Sequence, residues 1–256
     1  MLVAIDFGRT ADDYALHRAG FPERLFKHLL GQGMVAAGAR LLDLGTGTGT
    51  LARGFARRGL VVTGLDPAAP MLEQARRLDL EAGVHVRYAL ARAEATGLPD
   101  AGFDVVSAGQ CWHWFERARA AAEARRLLRP GGRLVIAHFD WLPLAGNVVE
   151  ATERLIRQHN PGWALGGGNG LHPACLADLA LAGFTALETF SFDQAVSYSH
   201  AAWRGRIRAS AGIAASLEGA AVARFDAEHA RMLRRTFPGE PLSVPHRCWV
   251  AVGVAP

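Results

Sequence analysis

The sequence predicts an α/β protein built on an open parallel sheet, and three observations carry that prediction. Short apolar runs at 40–44, 60–65, 84–89, 103–108 and 133–138 alternate with amphipathic stretches at 50–58, 68–82 and 116–128. That is the rhythm of parallel strands joined through crossover helices. The first run leads into Asp43-Leu44-Gly45-Thr46-Gly47-Thr48-Gly49. Glycine has no Cβ, so this backbone can turn sharply and leave room for a ligand against it. Two further strand-like runs, 184–192 and 246–254, lie either side of a long helical excursion. With 256 residues, half of them hydrophobic, the chain can bury a substantial core.

Taken in order, residues 10–36 read as helices that precede the sheet. The strand at 40–44, the glycine turn and the helix at 50–58 form the first crossover. The second run ends at Gly64-Leu65-Asp66-Pro67 and passes into the helix at 68–82. Arg129-Pro130-Gly131-Gly132 is a stop signal between the helix at 116–128 and the fifth strand. After Asp140 the rhythm changes. A helix at 148–159 is followed by a glycine-rich loop at 160–170 and by a helix from His172-Pro173 to Ala182, closed by Gly183. Residues 199–236 read helical with weak breaks.

Spacing separates two cofactor classes. A dinucleotide fingerprint, G-x-G-x-x-G, would place glycine at 50, where this chain has Thr50. Asp66 ends the second strand 17 residues beyond Gly49, where a carboxylate can accept hydrogen bonds from both hydroxyls of a ribose. The Asp-x-Gly-x-Gly-x-Gly pattern resembles motif I of the class I S-adenosylmethionine-dependent methyltransferases. The resemblance covers about residues 38 to 140 well and the remainder loosely.

That resemblance implies a doubly wound, seven-stranded, mostly parallel sheet of Rossmann-like type whose last two strands form an antiparallel pair. It implies a methyltransferase core over 38–256, with cap segments at 1–37, 141–182 and 198–243, and S-adenosyl-L-methionine as cofactor. Gly45, Thr46, Gly47 and Gly49 would pass beneath the methionine part, with Asp43 supporting the loop. Asp66 and Pro67 would meet the ribose. Met71 matches a position that packs on adenine, and an ordinary core methionine fits it equally. Ala93 and Glu94 match the stretch that meets the adenine, although many members carry Asp where this chain has Arg92. Gln110 matches a position near the methionine portion. In the amino-terminal segment, Tyr14 would meet the cofactor carboxylate and Arg18 an acidic substrate. Packing of an amphipathic helix explains both as well.

The acceptor end has its own signals. Trp112-His113-Trp114-Phe115 follows strand four and resembles a subset of small-molecule methyltransferases that includes the trans-aconitate type. Trp112 is a candidate substrate contact or a packing residue, and His113 a candidate catalytic base, orienter or cap. His138 ends the fifth strand, His172 begins a helix after a glycine loop, and His200 and His246 flank the cap, which adds four histidines to the candidates. Arg204 and Arg208, at i and i+4 of one helix, share a face. Facing inward they would hold an acidic substrate by charge-assisted hydrogen bonds; facing outward they are a solvated surface.

Other classes are excluded or lose ground. The net charge of +4 comes from scattered basic residues, with Lys27 the only lysine, so no nucleic-acid footprint forms. No apolar run approaches the ~18 residues that span a bilayer, and the first residues lack the basic flank of a signal peptide, so a cytoplasmic protein is expected. Cys111, Cys175 and Cys248 have no metal-ligand spacing, and no metal is expected. No pattern sets an oligomeric state. The expected activity is methyl transfer to a small molecule, first as O-methylation, including that of a carboxylate. C- or N-methylation and a non-catalytic cofactor-binding domain are the alternatives.

Overall fold

The structure is a computed structural model that describes residues 16–17 and 19–256. Tyr14 and Arg18 lie outside the described residues. The chain divides into two units. One comprises residues 20–139, 171–192 and 248–256; the other holds the described residues up to Ala19 together with 140–170 and 193–247.

The first unit carries most of the sheet, residues 140–141, 193–198 and 242–247 of its last three strands belonging to the other. Its strands are β1 Arg40–Leu44, β2 Val61–Asp66, β3 Arg87–Leu90, β4 Phe103–Gly109, β5 Leu128–Trp141, β6 Thr185–Tyr198 and β7 Leu242–Val254, in the order β3-β2-β1-β4-β5-β7-β6. The first five are parallel neighbours. Because β1 lies between β2 and β4, the strand order reverses at its carboxyl end, which is where open α/β sheets bind ligands. β7 runs against β5: Gly131 N donates to Ala255 O, and eleven residues on, Leu142 N donates to Pro245 O. β6 in turn runs against β7, since the Oγ1 atoms of Thr185 and Thr189 donate to Val254 O and Val250 O. The sheet is therefore seven-stranded and mostly parallel, with the antiparallel pair at the edge.

Helices α1 Glu23–Gly31, α2 Thr50–Ala56, α3 Ala69–Ala82 and α4 Arg117–Leu127 also belong to this unit. β1 is buried at four of its five positions and β4 at five of seven, as strands covered on both faces require. The ring of Phe26 on α1 lies where a Cβ on Gly54 of α2 would strike it, and it meets Phe55 edge to face at 5.2 Å. α1 thus packs in the sheet unit, although the sequence places it in an amino-terminal cap. Asp104 anchors the start of β4: its carboxylate accepts from Arg40 N at 2.7 Å and pairs with Arg129 at 2.7 Å.

β5 begins at Leu128, earlier than the stop signal predicts. Phe103 pairs with Leu128 and Val105 with Arg133, so three extra residues bulge out at Pro130-Gly131-Gly132. Gly131 and Gly132 spend their backbone bonds on Ala255, which keeps the bulge in the sheet.

The second unit is mainly helical, with α5 Val148–His159, α7 His200–Arg208 and α8 Gly219–Thr236 around Trp203, Ile207, Phe225 and Leu233. α6 Ala174–Leu181 lies in the sheet unit. The helical stretch predicted over 199–236 breaks between Arg208 and Gly219. Within the break Gly212 lies against Ile156 and Trp163, where a Cβ would approach Ile156 Cγ2 to 2.9 Å. In the same unit Glu153, buried, accepts from Trp141 Nε1 at 2.9 Å and Gly167 N at 2.7 Å, and so ties down the glycine-rich loop.

His229 is fully buried in this unit, and burial pushes its imidazole down to about 3. Thr152 Oγ1 donates to Val148 O, so Nε2–H of a neutral His229 donates to Thr152 Oγ1 at 3.2 Å. The unfolded chain takes up this proton below about pH 6.5 and the folded chain does not, so stability falls as pH drops from about 6.5 towards 3. Between pH 7 and pH 5 the loss from this group is about 2 kcal/mol. Chemical unfolding of His229→Gln at both pH values is expected to show that much less pH dependence than the parent.

Candidate active site

The glycine turn follows β1 with three left-handed residues, φ +59° at Gly45, +55° at Gly47 and +76° at Gly49. They differ in what a side chain would meet. A Cβ on Gly45 would approach Phe115 Cζ to 2.9 Å and Cys111 Sγ to 3.0 Å, and one on Gly49 would strike Tyr88 Oη. A Cβ on Gly47 meets nothing within 4 Å. Protein packing therefore demands glycine at 45 and 49, while the space over Gly47 is open. Such a cradle fits a cofactor laid along the backbone.

Two aspartates hold the turn. Asp43, 1% exposed, accepts from Ser107 Oγ at 2.6 Å and from Thr46 Oγ1 at 2.7 Å, which fastens the turn to β4. Burial pushes its carboxyl up to about 6 against the opposing effect of those two hydroxyls. Asp66 accepts from Gly47 N and from Ala68 N, each at 2.9 Å. Burial raises its pKa above the ordinary carboxylate value, with both backbone bonds opposing. A carboxylate has about four acceptor positions, so two remain beyond these bonds. Pro67 carries the chain from this carboxylate to Ala68, the residue before α3.

A buried network behind the turn was not legible in the sequence. Arg53 on α2 donates to Thr48 O at 2.8 Å and pairs with Asp79 of α3 at 2.7 Å, and Tyr88 Oη donates to the same Asp79 at 2.7 Å. Nothing in the spacing of 53, 79 and 88 announces it, because three elements must assemble before the groups meet. Tyr88→Phe leaves a buried acceptor short of its donor and is expected to cost about 1–3 kcal/mol in urea unfolding.

Met71 is buried in the first turn of α3, and Ala93 is buried in the main core cluster. Glu94 is committed locally: its carboxylate accepts from Glu116 N at 3.0 Å, before α4, and pairs with Arg92 at 3.4 Å. Gln110, in a left-handed conformation at φ +62°, donates its backbone N–H to Ala137 O of β5 at 2.9 Å. Cys111 Sγ lies 3.2 Å from Leu44 O, so the end of β4 abuts the glycine turn.

Two expectations need correction. Trp112 is not a substrate surface: it is 1% exposed within the core cluster, and its indole N–H donates to Asp178 of α6 at 2.9 Å. A bulky apolar ring with one polar atom gains more from that buried, satisfied position than from solvent. Arg204 and Arg208 do share a face, but both guanidiniums pair with Asp226 of α8, Arg204 through two atoms and Arg208 at 3.0 Å. Asp226 is held below the ordinary carboxylate range by these two arginines, in spite of its burial. The pair closes a helix–helix contact, so the clamp expected for an acidic substrate is engaged by the protein itself. His113, in the 3-10 turn Trp112–Trp114, is exposed and lies beside the ring of Trp114 at 4.6 Å.

Known proteins resemble this chain in sequence and in fold. Residues 42–136 match the family described as "Methyltransferase domain". An uncharacterised methyltransferase of Mycobacterium bovis is 39% identical over 154 residues, 57% of this chain and 60% of that protein. The demethylmenaquinone methyltransferase of Thermus thermophilus is 44% identical over 103 residues, 39% of this chain and 47% of that protein. The chain thus spans between 47% and 60% of the length of these curated relatives. A methyltransferase structure from Anaeromyxobacter dehalogenans is similar over 93% of this chain and 97% of its own, with a TM-score of 0.63 and 27% identity. The strand order and these similarities agree: the chain has the fold of the class I S-adenosylmethionine-dependent methyltransferases, and its residues 42–136 are similar to a methyltransferase domain.

Proposed function

We propose that the protein transfers a methyl group from S-adenosyl-L-methionine to a small-molecule acceptor, with oxygen as the receiving atom. The observation that carries the reading is the open cradle at Gly47 with the Asp66 carboxylate hydrogen-bonded to its N–H. The bound cofactor supplies an already electrophilic methyl on its sulfonium, so the protein's own contribution is positioning and exclusion of water. Asp66 accepts the ribose hydroxyls and Gly45 to Gly49 cradle the methionine portion. Asp43, Thr46 and Ser107 keep the turn in shape, and Gln110 borders it at the end of β4. Met71 and Ala93 lie on the adenine side, and His113 faces the acceptor.

Amino-terminal residues Tyr14 and Arg18 belong to the same reading, Tyr14 toward the cofactor carboxylate and Arg18 toward the acceptor. Oxygen is favoured because histidine, the side chain suited to removing an O–H proton near neutral pH, gathers at the acceptor end of the sheet. The test is release of S-adenosylhomocysteine on incubation with S-adenosylmethionine and a panel of phenols, carboxylic acids and amines. Release that depends on an oxygen acceptor is expected; release with amines alone contradicts the choice of atom.

A further inference from the structure

Beyond the cofactor turn, the sheet unit gathers three histidines that lie far apart in sequence. His138 is on β5, 1% exposed, and the ring of half-buried His172 stacks on it with centroids 3.6 Å apart and planes 16° apart. His113 stands 5.9 Å from His138, and Trp249 of β7 stands 5.6 Å from His172 and 6.3 Å from His138. His172 is fixed by its backbone, whose carbonyl accepts from Cys175 N at the start of α6.

A run of short contacts joins this stack to the cofactor turn. Leu44 O and Gly45 border Cys111, Gln110 N bonds Ala137 O, and His138 is the next residue. The stack therefore lies two strands from the turn, roughly 10 Å at the spacing of neighbouring strands. His138 stands near the carboxyl end of β5, the end at which open α/β sheets bind their ligands.

We propose that His172, oriented by stacking on His138, is the base that removes the proton of a hydroxyl acceptor, and that the acceptor is a phenol or similarly acidic aromatic O–H compound. The inference rests on the methyltransferase reading and adds the acceptor class to it. A carboxylate acceptor arrives already ionised and needs no base, and the arginine pair that would have held one is bound to Asp226. Exposed His113 and the partly exposed Trp114 beside it offer flat faces to an aromatic ring instead. In the step, the acceptor O–H gives its proton to a ring nitrogen of His172 and the oxygen forms its bond to the methyl carbon. The sulfur–methyl bond breaks with its electron pair left on sulfur. The products are an aryl methyl ether, the neutral thioether S-adenosylhomocysteine and one proton, which half-exposed His172 passes to water. His138 is a positioning residue, and His113 borders the same space.

The experiment compares the parent, His172→Ala and His172→Gln with 4-methylphenol, un-ionised at pH 8, and 4-nitrophenol, ionised at pH 8, using benzoate as the carboxylate control. S-Adenosylhomocysteine binding is followed by calorimetry on every variant. The expected result is a loss of ~100-fold or more in kcat/KM with 4-methylphenol and little change with 4-nitrophenol, with cofactor affinity retained and added imidazole restoring His172→Ala. Equal losses on both phenols, failure of imidazole to restore, or turnover of benzoate but of neither phenol overturns the proposal. So does activity that a chelator removes and a divalent metal returns, since the two histidines would then be ligands. Intact cofactor binding with inert phenols sinks this inference alone, whereas absent binding in the folded parent sinks the methyltransferase reading as well.

Discussion

Asp66→Ala is expected to lower affinity for S-adenosylhomocysteine by about 100-fold or more, equivalent to about 3 kcal/mol. The carboxylate accepts from Gly47 N and Ala68 N, and its remaining lone pairs are the acceptors proposed for ribose hydroxyls. Alanine removes both roles together: the turn loses the group that aims Gly47, and the ribose loses its partner. Gly47 N and Ala68 N also lose their acceptor, so a stability loss of about 1–3 kcal/mol is expected in urea unfolding, in a variant that still folds while its calorimetric affinity collapses. Asp66→Asn is the control: its amide oxygen restores part of the hydrogen bonding without the charge. A variant that binds as tightly as the parent would remove Asp66 from the cofactor site.

The second large effect comes from comparing alanine at two glycines of one turn. Both have positive φ, so each substitution carries a backbone cost of order 1 kcal/mol. They separate in their surroundings. At Gly49 the added methyl strikes Tyr88 Oη, whose hydroxyl is bound to buried Asp79, and sits 3.2 Å from Arg53 Nη2. Relieving that overlap breaks the buried network, and destabilisation of about 3 kcal/mol or more is expected in urea unfolding. At Gly47 the methyl meets no protein atom within 4 Å. Gly47→Ala should therefore fold nearly as well as the parent but lose cofactor binding, because its methyl fills the space left for the ligand. Equal stability losses in the two variants, or normal binding by Gly47→Ala, would show that the open space over Gly47 holds no ligand.

Much of this site was readable before any coordinates. β1 occupies 40–44 as predicted, and β2 ends at Asp66 as its spacing from the turn requires, because alternation and glycine chemistry are local signals. Longer-range groups were not readable. The Arg53–Asp79–Tyr88 network needs three elements assembled. The Asp226 partner of Arg204 and Arg208 lies 18 to 22 residues away on another helix, so the i, i+4 spacing identified a shared face but not what covers it. Trp112 stood in a motif that suggested a ligand contact, while its burial depended on Asp178 in α6. β5 began early because the bulge at Gly131-Gly132 bonds to Ala255, a partner at the far end of the chain. Among the histidines, His113 stood out by motif. The stack of His138 on His172 required a strand and a distant loop to meet.

The central claim is that the Gly45–Gly49 turn, with Asp66, binds an S-adenosyl cofactor. Isothermal titration of the purified protein with S-adenosylmethionine and, separately, with S-adenosylhomocysteine tests it most directly. One-to-one binding of both in the micromolar range is the predicted result. Absence of heat with either ligand, in protein that unfolds cooperatively and is therefore folded at the start, would contradict it.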